Sequence, residues 1–411
     1  MPWTPPTPPE WVERLNAHGP AVGGAEHLVS LDSDDLLRAA RASTGLTDFG
    51  GDTWRPHFEV LVEALRTEAH LTLAGRIVAR TELLRALRQR LLLAATWHAD
   101  PTILDEPIVE PVFVVGTGRS GTSILHELLA LDPTSRTPAT WELLHPGEVL
   151  DASTDDAPRR LGHDVHAFWA DLQPAYDSMH HNDGDEPNEC IFATMLEFLS
   201  DQWGGTYEVP TYAAHLVSTD QTEAYRYHRR VLQTLQRHRR GDRWVLKAPS
   251  HLSQLRTLFA VYPDARVLQI HRDPLKSVPS TISLMGTLRS MRCETVDVDT
   301  LVPWVSFGYA MMLDDAMAAR DSGDLPDHRF VDVRYADLMA DPSGTIGRAY
   351  GELGIAYDDD RRAAVTAYVA SRPKDSFGAH RYSLADAGLD PAEERERFRP
   401  YQTRYDVPDE V

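Results

Sequence analysis

The sequence contains little cysteine and comparatively few basic residues. Cys190 and Cys293 are the only cysteines among 411 residues, so a disulfide framework like that of small secreted domains is excluded. One bridge stays open as an alternative, but two reduced, buried thiols are expected. The balance of 41 basic against 62 acidic residues gives a net charge of −21. This charge argues against binding nucleic acid or anionic lipid, which requires a basic surface. Any anionic ligand must therefore be held in a local pocket.

The sequence also lacks long apolar runs. No stretch approaches the roughly 20 apolar residues that a membrane-spanning helix needs. Residues 1–10 are Pro-rich and do not have the basic and apolar regions of a signal peptide. With 42% hydrophobic and 25% charged residues, the composition is typical of soluble globular proteins. We expect a cytoplasmic protein with no membrane span and no nucleic-acid partner.

The first part of the chain, residues 1–106, is predicted to be a Pro-rich arm followed by a helical region. The arm extends to about Pro20 and is expected to be loose and partly extended. From residue 32 to 98, apolar residues recur at helical spacing. Asp32 or Ser33 is suited to cap the first of these helices, and Gly45 to end it. This region shows amphipathic helices and no residue pattern that indicates chemistry.

Residues 107–411 have the pattern of an α/β domain. Short apolar, β-rich runs each lead into a helical stretch, at residues 112–115, 244–246, 267–270 and 330–333. Continuous apolar strands followed by helices predict a parallel sheet flanked by helices on both faces. Ligands of such sheets bind beyond the carboxyl ends of the strands. Functional residues are therefore expected directly after these runs.

A glycine turn follows the first run. Gly116 and Gly121 have the spacing of the nucleotide loop G-x-x-x-x-G-K-[ST], and a helical stretch starts behind them. A strand, a glycine turn and a helix N-terminus direct several backbone N–H groups at one anion. Thr122, however, stands where that motif has the Lys that reaches the β- and γ-phosphates. The loop thus predicts a phosphate site that suits ATP and GTP poorly, with Arg119 as its positive charge.

A second set of polar residues follows two later runs. Lys247 and His251 come after the run at 244–246, and Arg272 follows the run at 267–270. Ser280 lies eight residues beyond Arg272, about two helical turns away, so the two side chains can grip a second phosphate. Two anion sites along one sheet edge are what an adenosine 3′,5′-bisphosphate requires.

Together these segments resemble the PAPS-dependent sulfotransferase family, in particular its bacterial branch, over most of residues 107–411. Residues 140–142, 246–252, 262–265 and 380–384 also look like segments of that family. The resemblance implies a P-loop nucleotide-hydrolase-like fold. It also implies transfer of a sulfuryl group from 3′-phosphoadenosine 5′-phosphosulfate (PAPS) to a hydroxyl or amine of a small-molecule, lipid or sugar acceptor. No metal is expected.

The resemblance also assigns site residues. Arg272 and Ser280 would hold the 3′-phosphate, and Arg119 and Lys247 would stabilise the leaving bridge and the sulfuryl oxygens. Many cytosolic members have Lys where this chain has Arg119, whereas Arg resembles the tyrosylprotein and bacterial branches. The remaining residues expected around the nucleotide are Gly118, Ser120, Gly121, Thr122, Ser123, Arg381 and Tyr382.

The acceptor must lose a proton, and two residues are candidates for the base. Glu142 stands near the position of the Glu base in the tyrosylprotein branch, with a slightly longer spacing. His251 resembles the His of cytosolic relatives, but it lies four residues after Lys247 instead of two. The alternatives are structural: Glu142 forms a helix cap or salt bridge, and His251 caps a helix. A cluster of potential metal ligands at His180, His181, Asp183 and Glu186 fits no usual zinc spacing, and a solvated polar loop is the preferred interpretation.

Two other functions share some of these features. A P-loop kinase-like phosphotransferase would have the same fold and loop but needs the missing Lys. A non-catalytic nucleotide-binding protein would keep Arg272 and Ser280 but would need neither Lys247 nor a base. Since Lys247 and two candidate bases are present, the sequence favours the enzyme.

Overall fold

A parallel sheet lies at the centre of the larger part of the chain. The computed structural model describes residues 3–151, 156–180, 183–372 and 382–411. Within them, the strands are β1 Val112–Val115, β2 Ser135–Arg136, β3 Arg243–Lys247, β4 Arg266–His271 and β5 Phe330–Arg334. All pair in parallel, in the order β2-β3-β1-β4-β5. The predicted parallel α/β sheet is therefore confirmed.

Helices surround this sheet and form most of the N-terminal region. Their bounds are α1 Glu10–Asn16, α2 His18–Ala21, α3 Ser33–Thr44, α4 Arg55–Thr67, α5 Leu73–Ala99, α6 Thr122–Ala130, α7 Thr140–Leu144, α8 Ala157–Leu172, α9 Ala175–Met179, α10 Ile191–Thr194, α11 Asp201–Thr206, α12 Pro210–Ser218, α13 Thr222–His238, α14 Leu255–Val261, α15 Pro274–Ser290, α16 Val298–Asp321, α17 Tyr335–Ala340, α18 Pro342–Leu353, α19 Asp359–Ser371 and α20 Pro391–Tyr405. In the described part of the chain, no helix is both long enough and apolar enough to cross a bilayer.

The strand register brings three strand ends together. Val114 of β1 is aligned with Lys247 of β3 on one side and with Leu268 of β4 on the other. Because the strands are parallel, the segments that leave β1, β3 and β4 emerge side by side at one edge. The short strand β2 was not predicted, since Ser135 and Arg136 are polar and form no apolar run.

The helices before the sheet begin and end largely where the sequence predicts. Asp32 caps α3 by accepting the N–H of Asp35 at 3.0 Å, and Gly45 ends the helix with a left-handed φ of +71°. The apolar core is continuous from Leu36 in α3 through Leu87 in α5 to Leu246 in β3. The N-terminal helices therefore pack directly on the sheet region.

The prediction of a loose arm up to about Pro20 is wrong for residues 10–21, which form α1 and α2. Pro9 precedes α1, and Glu10 and Glu13 lie in its first turn, where the positive end of the helix dipole favours carboxylates. Val12 is buried in a small apolar cluster with Trp169 and Tyr176. Tertiary packing thus stabilises a helix too short to be stable alone.

A buried ion pair joins α5 to the segment after α10. The guanidinium of Arg90 is fully buried and donates to Glu197 Oε1 at 2.5 Å and to the carbonyl of Leu196 at 2.8 Å. It also donates to the carbonyls of Phe49 and Gly50. One side chain thereby fixes three segments, so its removal leaves a carboxylate and three carbonyls without their donor.

We expect Arg90→Met to lower the free energy of unfolding by about 3–5 kcal/mol, because the Glu197 carboxylate stays buried without its counter-ion. Urea denaturation followed by circular dichroism measures this loss. Arg88→Met is the matched control on the same helix, since among the described residues Arg88 donates an exposed bond to the Ser43 carbonyl and interacts with Glu148 only electrostatically. It should cost about 0.5 kcal/mol or less. Equal losses for the two variants would contradict the role given to Arg90.

Candidate functional site

The loop between β1 and α6, residues 116–121, forms the centre of the site. Gly121 is the N-cap of α6 and has a left-handed φ of +102°; a Cβ there would lie 2.5 Å from Cδ2 of Tyr335. A Cβ on Gly118 would lie 2.5 Å from the hydroxyl oxygen of Tyr309. Both positions therefore require glycine. The loop closes on itself where the Ser120 hydroxyl donates to the Thr117 carbonyl at 2.6 Å. It leads directly into the first turn of α6 and can cradle a phosphate.

Arg119 links this loop to the residues that follow β4. Its backbone is left-handed, with φ +64°. Its Nε donates to Ser280 Oγ at 3.1 Å, and its carbonyl accepts from Nη1 of Arg272 at 3.1 Å. Three residues predicted from two separate motifs thus meet in one place. Tyr382 lies close enough to Arg119 to interact with it electrostatically.

Arg272 and Ser280 are positioned by the end of β4 and the start of α15. Asp273 is fully buried and caps α15 by accepting the N–H of Leu275 at 3.0 Å, and Pro274 is the first helical residue. Arg272 stacks on the Tyr335 ring, 4.0 Å from its centroid. Its Nε and Nη2 both bond to the carboxylate of Glu410.

Lys247, the last residue of β3, reaches the first turn of α6. Its Nζ donates to Ser123 Oγ at 3.0 Å and forms an ion pair with Oε1 of Glu189. Glu189 is held near the end of β3 because the next residue, Cys190, donates its N–H to the Lys247 carbonyl at 2.8 Å. Glu189 also interacts electrostatically with Arg119. A lysine, an arginine and a carboxylate therefore lie together at the phosphate loop.

Glu142 is occupied by a structural ion pair. It is 2% exposed, and its two oxygens accept from Nη1 and Nη2 of Arg136 at 2.9 and 2.6 Å. One of these oxygens also accepts the N–H of Ala139 at 2.8 Å, at the start of α7. These contacts correspond to the cap and salt bridge that the sequence left open as the alternative to a catalytic role.

His251 lies in the core beside β1. It is 1% exposed, its Nδ1 is 2.7 Å from the Tyr225 hydroxyl, and its ring meets the edge of Phe113 at a centroid distance of 5.0 Å. Burial holds the pKa of His251 well below its usual range, and the nearby His228 adds to this effect. In the described part of the chain, neither His251 nor Glu142 hydrogen-bonds to Arg119 or Lys247.

The structure adds site residues that no motif indicated. The Tyr309 hydroxyl donates to the Gly118 carbonyl at 3.2 Å and lies 2.8 Å from Thr281 Oγ1, and burial raises its pKa to about 12. Tyr309 is on α16, far from the loop in sequence. Glu189 lies in an acidic stretch that is typical of a solvated loop. The one sequence feature that could have pointed to Glu189 as a site residue is its position directly before the apolar residues of α10. Arg381 lies outside the described residues.

The predicted polar loop contributes to a surface cluster of possible metal ligands. His163 Nδ1 lies 2.7 Å from Asp183, and its Nε2 lies 3.4 Å from Asp185. Arg159 already forms an ion pair with Asp185 at 2.5 Å. The cluster is partly exposed and its charges are paired, so its geometry is that of a surface ion-pair network.

Comparison with known proteins agrees with this geometry. A family model described as "Sulfotransferase family" matches residues 111–359. Sulfotransferase STF1 of Mycobacterium tuberculosis H37Rv is 32% identical, with a TM-score of 0.77 over 90% of this chain and 98% of that one. Sulfotransferase STF9 of Mycobacterium avium is 27% identical, with a TM-score of 0.80 over 92% and 97%.

A curated relative from Mycobacterium bovis, omega-hydroxy-beta-dihydromenaquinone-9 sulfotransferase Stf3, is 30% identical over 62% of this chain. The matched part is 64% of the length of that relative. The chain belongs to the sulfotransferase family. This confirms the family that the sequence predicts from the loop and the Arg272–Ser280 pair. It also confirms the predicted P-loop-like fold.

We expect Gly121→Ala to weaken binding of adenosine 3′,5′-bisphosphate at least about tenfold, because the added Cβ strains a left-handed position and displaces the Tyr335 ring on which Arg272 stacks. Isothermal titration calorimetry measures this change. Gly351→Ala in α18 is the control, since a Cβ there meets no atom within 4 Å. Unchanged affinity in Gly121→Ala would show that the loop does not cradle the nucleotide.

Proposed function

We propose that this protein is a PAPS-dependent sulfotransferase that transfers the sulfuryl group to a hydroxyl of an apolar acceptor. One observation carries the proposal: Arg119 of the phosphate loop contacts both Arg272 and Ser280. The two predicted anion sites are therefore neighbours, as the 5′- and 3′-phosphates of one adenosine nucleotide require. The match to the sulfotransferase family and the fold shared with STF1 and STF9 support the same conclusion.

The nucleotide would lie along the edge where β1, β3 and β4 end. The loop N–H groups, the N-terminus of α6 and the hydroxyls of Ser120, Thr122 and Ser123 would hold the 5′-phosphosulfate. Arg272 and Ser280 would hold the 3′-phosphate by charge-assisted hydrogen bonds. We also propose that Arg381 and Tyr382 contact the nucleotide.

Arg119 and Lys247 would stabilise the transition state. In a loose, in-line transfer, negative charge gathers on the oxygen that bridges sulfur and phosphorus, so positioned cations lower the barrier. Arg119 lies inside the loop, and Lys247 contacts Ser123 of the helix that follows it. These two fixed charges supply the electrostatic stabilisation, and we propose that the reaction needs no metal.

We propose Glu189 as the general base, ahead of Glu142 and His251. Its side chain is 14% exposed and lies beside Lys247, whereas both oxygens of Glu142 are bonded to Arg136 and His251 is buried behind β1. When Lys247 binds the sulfuryl group, Glu189 is released to accept the proton of the acceptor hydroxyl. The acceptor oxygen then bonds to sulfur, the bond from sulfur to the bridging oxygen breaks, and its electron pair stays on the 5′-phosphate.

The acceptor would bind at a small recess between α5, α7 and residues 191–197, which starts about one turn beyond Glu189. In this structure the recess holds about 10 Å³, the space of a single water molecule, so its side chains would have to move apart to admit the acceptor. Its apolar wall consists of Leu143, Leu144, Phe192, Met195 and Leu196. Arg85 also lines the recess, and in the described part of the chain no carboxylate lies within ion-pair distance of it. An apolar acceptor with an oxygen that accepts hydrogen bonds fits this lining. The hydroxylated dihydromenaquinone named for Stf3 has this chemistry.

A thermal-shift titration separates the proposal from a P-loop kinase. Adenosine 3′,5′-bisphosphate at 100 times its Kd should stabilise the protein by roughly 2.7 kcal/mol. ATP with Mg²⁺ should give a much smaller shift, because Thr122 replaces the Lys that reaches the γ-phosphate. A larger shift with ATP and Mg²⁺ would favour the kinase-like phosphotransferase.

We expect Glu189→Gln to lower kcat by about 100-fold or more, the usual contribution of a general base. Transfer of labelled sulfate from PAPS to hydroxylated menaquinones, long-chain alcohols, phenols and sterols measures turnover, and a sulfated glycan serves as the acceptor expected to fail. The Kd for adenosine 3′,5′-bisphosphate should change little.

Glu142→Gln is the matched control for this experiment. It breaks the buried pair with Arg136 and should lower the melting temperature, but it should leave kcat within about threefold at a temperature where the variant is folded. A large loss of kcat in Glu142→Gln, with little effect of Glu189→Gln, would restore Glu142 as the base.

A further inference from the structure

We propose that the carboxylate of Glu410 occupies the position at Arg272 where the 3′-phosphate would bind, and that the nucleotide must displace this carboxylate to bind. This inference rests on the proposed function of Arg272. The segment after α20 carries Glu410 back to the end of β4. There its carboxylate contacts Arg272, which the sequence predicts to hold the 3′-phosphate.

The contact uses the side of the guanidinium that suits a phosphate. Nε of Arg272 lies 3.1 and 3.3 Å from the two Glu410 oxygens, and Nη2 lies 3.1 Å from one of them. This fork geometry is the one that guanidinium groups use for carboxylates and phosphates alike. Nη1 is bonded to the Arg119 carbonyl, and one face of the group is covered by Tyr335. A phosphate would therefore compete with Glu410 for the same edge.

A buried network holds Glu410 in this position. Its backbone N–H donates to Oδ2 of Asp273 at 2.7 Å. Asp273 also accepts from Nη1 and Nη2 of Arg395 at 2.8 and 3.1 Å, and Arg395 bonds to the Val411 carbonyl and to Asp409. The residue that caps α15, the helix of Ser280, thus also anchors the segment with Glu410. The Arg272–Glu410 pair is itself largely buried, with side-chain exposures of 16% and 24%.

The need to displace Glu410 lowers the apparent affinity of the protein for the nucleotide. A ligand that binds one of two states has its Kd divided by the fraction of molecules in that state. A carboxylate that pairs with Arg272 keeps this fraction small. Once displaced, the carboxylate also repels the nearby phosphate. Removing the charge of Glu410 should therefore tighten binding of ligands with a 3′-phosphate and leave ligands without one unaffected.

Calorimetric titration of the full chain with two nucleotides tests this. Glu410→Gln should bind adenosine 3′,5′-bisphosphate about tenfold more tightly than the unaltered protein, because the amide pairs weakly with Arg272. Adenosine 5′-monophosphate, which lacks the 3′-phosphate, should bind both proteins with the same Kd. The control is Glu396→Gln on α20, which makes the same change in net charge at an exposed pair with Arg399 and should alter neither affinity.

Three outcomes would overturn the proposal. Equal or weaker binding of the bisphosphate by Glu410→Gln would show that Glu410 positions Arg272 and does not compete for it. Equal tightening for both nucleotides, or for Glu396→Gln, would indicate a general charge effect. Failure of every variant, and of the unaltered protein, to bind the bisphosphate would overturn the proposed function together with this inference. Circular dichroism and melting temperatures establish that each variant is folded.

Discussion

The geometry of the site depends on the backbone of Arg119. Its left-handed conformation, between two positions that accept only glycine, directs the side chain to Ser280 and the carbonyl to Arg272. These contacts are possible because β1 and β4 are paired neighbours in parallel register, so the loop after one strand meets the helix after the other. A change in this loop would therefore disturb both predicted phosphate sites together.

The chain neutralises the cations of the site with its own carboxylates. Lys247 is paired with Glu189, and Arg272 with Glu410. Burying an unpaired charge costs several kcal/mol, on the order of 3–5 when one partner of a buried pair is removed. The cations of a site that binds a polyanion would therefore need internal counter-ions whenever the polyanion is absent. In a protein with a net charge of −21, the proposed exchange of carboxylate for phosphate or sulfuryl oxygen would allow specific anion binding without a basic surface.

The sequence predicts those parts of the structure that depend on local patterns. Strands β1, β3, β4 and β5 are apolar runs, the phosphate loop is a glycine spacing, and Arg272 and Ser280 are eight residues apart. Glu189, Tyr309 and Glu410 could not be predicted, because their partners lie 58, 191 and 138 residues away in the chain. Glu142 shows a different limit: its partner Arg136 is only six residues away, but whether the carboxylate forms a cap and salt bridge or acts as a base depends on how α7 packs.

The N-terminal helices have a place in the proposed function as well as in the fold. Helix α5 is tied to the segment after α10 by Arg90 and Glu197, and both elements contribute lining residues to the recess proposed for the acceptor. Glu82, which also lines the recess, hydrogen-bonds to Tyr207 and Arg292 and interacts electrostatically with Arg85. Among the described residues, no carboxylate lies within ion-pair distance of Arg85. If the acceptor binds there, its recognition would depend mainly on α5, α7 and residues 191–197, whereas the proposed nucleotide site lies at the sheet edge. Acceptor specificity can then change without disturbing the strand ends that hold the sulfuryl donor.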